Sequence, residues 1–132
     1  MFGIIKNYLK KAKEEAAKEY LISSKEQGWI GVDLDGTLAF HDANSPMISI
    51  GEPIPLMVEM VKKMLKQGHR IKIFTARAQD SEQVLLIRNW LKENDLPALE
   101  ITNIKDYNMI KLFDDRAVQV ERNTGKLIIA QE

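Results

Sequence analysis

Apolar residues along this chain follow two spacings. Short continuous runs bounded by turn-forming residues alternate with longer segments whose apolar positions recur every three to four residues. The runs "WIGVDL", "HRIKIFTAR", "LEITN" and "MIKLF" predict strands, the first of them buried on both faces. "PLMVEMVKKMLKQG" predicts an amphipathic helix, with Pro55 in its first turn and Gly68 closing it. "DSEQVLLIRNWLKENDLP" predicts a second helix, with Asp80 as cap, Gln83 closing a capping box and Pro97 beyond its end. "RAVQVERNTGKLIIA" has the form of a hairpin turning at Asn123, Thr124 and Gly125. Upstream, residues 3 to 27 form a charged segment whose Ile5, Tyr8, Leu9, Ala12, Ala16 and Tyr20 share one helical face, and Gly28 is placed to end it. That stripe suits packing on the domain or self-association into a homo-oligomer. Met57, Met60 and Met64 fall at helical spacing and are expected in the core.

Strands alternating with helices predict an α/β fold around a mainly parallel sheet. The expected division is an N-terminal helix over 1–27 and one core over 28–132. One feature strains the pattern: about six residues separate "LEITN" from "MIKLF", where a parallel crossover usually takes about a dozen. The strand order on that side is therefore open.

Composition narrows the function. Over 132 residues, Lys plus Arg and Asp plus Glu number 19 each, so no global field favours a polyanion or an anionic membrane; a weakly held nucleic-acid end stays open. With no cysteine there is no disulfide, thiolate metal site or cysteine nucleophile, which suits a reducing cytoplasm. The N-terminus lacks the apolar core of a signal peptide and no run of 18 apolar residues occurs, so a soluble cytoplasmic protein is expected.

The chemistry gathers at the strand ends. Asp33 and Asp35 follow the first strand, Thr75 the second, Lys105 comes shortly after the third, and Asp114 and Asp115 follow the fourth. Parallel sheets bind ligands at that edge. Several carboxylates converging there need cations, and Lys105 supplies one charge against four acids. A divalent metal is the natural remainder, and an oxygen-only donor set favours Mg²⁺.

"DLDGT", Thr75 in "FTAR", Lys105 in "NIKD" and the pair in "FDDR" together resemble the four ordered motifs of the haloacid dehalogenase (HAD) phosphatase superfamily, over residues 29 to 116. The nearest likeness is to its small bacterial and phage members. The resemblance implies a Rossmannoid three-layer sandwich, and the intervals between motifs leave no room for a cap domain. It implies a phosphomonoester hydrolase in which Asp33 is the nucleophile that forms an aspartyl-phosphate and Asp35 the general acid and base. It implies Mg²⁺ held by Asp33, the Asp35 carbonyl, Asp114 and Asp115, with the direct ligand of the last pair open. Thr75, Ala76 and neighbouring N–H groups would hold the phosphoryl oxygens, Lys105 would steady nucleophile and transferring group, and Gly36 would let backbone approach the phosphate. Substrates would be phosphorylated small molecules or macromolecular ends. A phosphotransferase or mutase sharing the intermediate, and a non-catalytic binding module, are the competing functions. Arg77 is expected either to touch substrate or to pair at the surface, and His41 to be a solvated loop residue.

Overall fold

The computed structural model describes residues 3–14 and 28–129. Helix α1 is described over residues 3–14, and every residue of that stretch is exposed, Ile4, Ile5, Tyr8 and Leu9 included. Packing of this stretch on the domain is therefore not observed. The rest of the predicted helix, to residue 27, lies outside the described residues.

Strands β1 (Trp29–Val32), β2 (Arg70–Phe74), β3 (Glu100–Thr102) and β4 (Met109–Phe113) form one all-parallel sheet in the order β3-β2-β1-β4. Helix α2 (Pro55–Lys66) links β1 to β2, and a short 3₁₀ turn (Ala76–Gln79) with α3 (Ser81–Glu93) links β2 to β3. The result is a mixed α/β, Rossmann-like fold, with no cap domain among the described residues. β5 (Gln119–Val120) and β6 (Leu127–Ile128) form the predicted hairpin, turning through Asn123 and Gly125, both at positive φ. Among the described residues no helix is long and apolar enough to cross a membrane.

β1 is central and buried along its length, which explains its unbroken apolar run. Its Ile30 and Val32, with Ile71 and Ile73 of β2, pack against Val58, Val61 and Met64 of α2 and Ile87, Trp90 and Leu91 of α3. Both crossovers step the same way along the sheet, and right-handed connections put both helices on one face. Met57 lies partly buried beside this core, but Met60 is exposed: the apolar stripe of α2 is narrower than its methionine spacing suggests. Asp80 caps α3 by accepting from the Glu82 N–H (2.8 Å). Gln83 closes no capping box; its amide reaches the 47–49 segment instead.

The short connection from β3 to β4 passes over β2 and β1. Residues 103–108 must cover three strand spacings of about 4.8 Å and the length of a strand at no more than about 3.4 Å per residue, and they end in a turn closed by the Met109 N–H on the Asp106 carbonyl (3.2 Å). There is no length for a helix. The segment is pinned to β1: Trp29 Nε1 donates to Asp106 Oδ1 (2.8 Å), and the Trp29 N–H donates to the Asn108 carbonyl (2.9 Å). Trp29 is buried on this second face, with Phe74 6.3 Å away between ring centres and the Lys72 ammonium 4.5 Å over its ring. Strand order is thereby settled without a conventional crossover.

Candidate active site

The register Val32↔Phe113 brings the residues that follow β1 and β4 to the same edge, and the Asp33 N–H continues the ladder to the Phe113 carbonyl (2.9 Å). Asp33, Asp114 and Asp115 each present a carboxylate oxygen within 4.8 Å of the others. Half-burial pushes the Asp33 carboxyl up to about 7; its hydrogen bond with Asp115 and the repulsion of Asp114 act in the same direction. Asp115 lies below the usual carboxylate range because it accepts from Asp33 and from Thr37. The opposite shifts of the two acids reflect one interaction, which opposes ionisation of both together. This acidic cluster is able to hold a metal ion, whose charge would offset that opposition.

The turn after β1 builds the cluster's floor. Leu34 and Leu38 are fully buried and anchor it, and the Leu34 carbonyl accepts from the N–H groups of Thr37, Leu38 and Ala39. This places Thr37 under Asp115: its hydroxyl donates to Asp115 Oδ1 (3.0 Å) and accepts from the Asp115 N–H (3.0 Å), with Asp33 Oδ2 at 3.5 Å. Gly36 adopts φ +88°, and a Cβ there would stand 2.5 Å from Asp115 Oδ2. Its N–H is bonded to the Ala39 carbonyl (2.8 Å). Glycine is favoured here by the positive φ and by the room that the Asp115 carboxylate takes.

Asp35 faces a different partner. Arg77 Nε donates to its Oδ2 (2.7 Å) and Nη2 to its Oδ1 (2.8 Å), a bidentate pair. Nη1 donates to the Met47 carbonyl (3.0 Å) and Gln83 Oε1 (2.8 Å), and Nη2 to the Ser49 carbonyl (3.0 Å). Every N–H of the guanidinium is used. Arg77 is 4% exposed, so neither expectation for it holds: it is not a surface pair, and it has no donor left for a substrate. His41 lines the same cavity with Nδ1 3.7 Å from Asp35 Oδ1, beyond hydrogen-bond range.

Asp33, Asp35, Thr75, Ala76 and Asp114 all line one open cavity of about 710 Å³. Thr75 is buried; its oxygen accepts from the Arg77 N–H (3.2 Å), which starts the 3₁₀ turn and leaves its hydroxyl proton for the cavity. Ala76, first in that turn, has no partner for its N–H among the described residues. Lys105 is not brought to the site: it is exposed in the 103–108 segment and does not line the cavity. The exposed cation on the wall is Arg116, whose N–H donates to Asp114 Oδ1 (2.7 Å). Sequence reasoning missed Thr37, Arg77 as a buried hub, and Arg116; the one available signal was an acid, Asp35, on an apolar strand end with no neighbouring counter-charge.

No family model matches the chain, and no curated protein matches it. Among solved structures it is similar to a conserved protein from Bacteroides thetaiotaomicron, at 25% identity and a TM-score of 0.53, over 67% of this chain and 76% of that one.

Proposed function

We propose that the protein is a Mg²⁺-dependent phosphomonoesterase of the HAD type, acting through Asp33. The observation that carries this reading is the half-buried Asp33 held among two further acids at the carboxyl edge of a parallel sheet, with Asp35 on the same cavity. An acidic cluster whose burial and mutual repulsion push the Asp33 carboxyl up to about 7 is suited to a divalent cation. Asp33, Asp114 and Asp115 would hold Mg²⁺ together with the Asp35 carbonyl that the resemblance implies. When bound, the metal supplies charge neutralisation and Lewis-acid polarisation of a phosphoryl oxygen.

The remaining work falls to the chain. An Asp33 carboxylate oxygen attacks phosphorus; the ester P–O bond breaks, and Asp35, having taken up a proton from solvent on a lone pair that Arg77 leaves free, gives it to the departing alkoxide. Asp35, now a carboxylate, takes a proton from water as that water attacks the same phosphorus, and the bond to Asp33 breaks to release inorganic phosphate. The Thr75 hydroxyl and the Ala76 N–H, both of residues that line the cavity, would receive the phosphoryl oxygens, whose charge they would stabilise most in the transition state. The role the resemblance implies for Lys105 draws no support from its position, and Arg116 is the better-placed cation.

With no cap domain among the described residues, a phosphorylated small molecule and a macromolecular end both fit the proposal. The test is phosphate release from a panel of phosphomonoesters, with Mg²⁺ and with chelator, for wild type and Asp33→Asn. Metal-dependent release lost in the variant supports the reading. Release that survives either chelation or the substitution overturns it.

A further inference from the structure

We infer that Arg77 is a positioning residue that ties the orientation of Asp35 to the Met47–Ser49 segment, a strap beside the cavity. The inference rests on the phosphomonoesterase reading for its catalytic meaning and on geometry for the rest. Arg77 is 4% exposed, and its five N–H groups meet five oxygens: two on Asp35, one each on the carbonyls of Met47 and Ser49, and one on Gln83. Gln83 closes the ring from α3, its Nε2 donating to the same Met47 carbonyl (2.9 Å). Lifting the strap would leave guanidinium donors buried without acceptors, a cost that holds the strap down. Strap and acid therefore move together or not at all.

The pairing also dictates which Asp35 lone pairs do chemistry. A bidentate guanidinium occupies one lone pair on each carboxylate oxygen and leaves one free on each. The proton that Asp35 delivers as the ester P–O bond breaks must travel on a free one. Rotation of the carboxyl group is blocked by the fork, so that lone pair keeps a fixed direction with respect to the cavity that Asp33 also lines. Lysine, with one point charge and no fork, would hold Asp35 without orienting it.

The experiment compares kcat/KM, which reports the chemistry only through the first phosphoryl transfer, on 4-nitrophenyl phosphate and on a simple alkyl phosphate. The first leaving group departs with little need of a proton; the second depends on one. Wild type, Arg77→Lys, Gln83→Ala, Asp35→Asn and the double variant Asp35→Asn with Arg77→Lys are measured, each checked for folding. The expected result is a loss in Arg77→Lys at least about tenfold larger on the alkyl ester than on the aryl ester, against an acid–base contribution of 10²–10⁴-fold. Gln83→Ala should shift in the same sense by less, and the double variant should be no slower than Asp35→Asn alone. Equal losses on both esters, or losses that multiply in the double variant, would overturn the inference while leaving the phosphomonoesterase intact. A readout independent of turnover is the Arg77 Nε–H proton by NMR. It should be slow to exchange in the folded protein and displaced by Asp35→Asn. A fast-exchanging Nε–H overturns the clamp whether or not any ester is hydrolysed, whereas a protected Nε–H with no Mg²⁺-dependent release on any ester places the failure in the phosphomonoesterase reading.

Discussion

Asp33→Asn should reverse its effect on stability according to whether metal is present. In the metal-free protein the Asp33 carboxyl is raised from 3.8 to about 7. Between about pH 4 and pH 7 the folded protein therefore keeps a proton that the unfolded chain has released, and stability falls as pH rises through that window. For a fully shielded carboxylate the difference between 3.8 and about 7 corresponds to ~4 kcal/mol. Asp33 is half-buried, and screening by water reduces this to about 1–2 kcal/mol. Asparagine keeps the shape and removes the charge. With chelator, the variant should match wild type near pH 4.5 and exceed it by about 4–8 °C in Tm near pH 8, taking about 4 °C per kcal/mol for a domain of this size. With Mg²⁺ at about a hundredfold its Kd, wild type should gain ~2.7 kcal/mol and the order should invert. Thermal unfolding across that pH range, with and without Mg²⁺, reads both. A wild-type curve that parallels the variant's at every pH in chelator, or equal stabilisation of both proteins by Mg²⁺, would refute the reasoning.

Three other perturbations have defined outcomes. Arg77→Met leaves the Asp35 carboxylate and the Ser49 carbonyl without donors, the Met47 carbonyl keeping Gln83, and should cost about 3–5 kcal/mol in urea unfolding; a cost under about 1 kcal/mol would mean the five-donor hub is not formed. Gly36→Ala meets both an unfavourable φ, about 1–2 kcal/mol, and the Asp115 carboxylate at 2.5 Å, so it should lower Tm and weaken Mg²⁺-induced stabilisation together. Trp29→Phe removes the bond to Asp106 and should cost about 1 kcal/mol while speeding amide exchange over residues 103–108; exchange that stays unchanged would show that the segment is held by something else.

The elements that carry a local signal were legible in the sequence. An unbroken apolar run marks β1 because that strand has a neighbour on each side, and the helical spacing of α2 and α3 marks the faces that cover Ile30, Val32, Ile71 and Ile73. Asp33, Asp114 and Asp115 were legible as a cluster because parallel strands deliver their following residues to one edge. What escaped depends on contacts distant in sequence. Arg77 reads as a surface residue until a carboxylate 42 positions earlier and two carbonyls about 30 positions earlier are folded onto it. Gln83 satisfies a capping-box pattern but bonds Arg77 and the Met47 carbonyl instead. Thr37 sits in plain view inside "DLDGT", yet its partner Asp115 is 78 positions away. Lys105 carried the expected motif, but the short crossing to β4 through residues 103–108 leaves it exposed and off the cavity wall.

The central claim is a covalent phosphoryl group on Asp33, and the most direct measurement is peptide mass spectrometry after acid quench. Asp35→Asn, which retains the nucleophile but lacks the base for the second step, is mixed with 4-nitrophenyl phosphate and Mg²⁺ and then quenched. The account predicts a phosphoryl group on the peptide that contains Asp33, absent with chelator and absent when Asp33→Asn is added. Nitrophenolate released in step with inorganic phosphate, with that peptide unmodified, would contradict it.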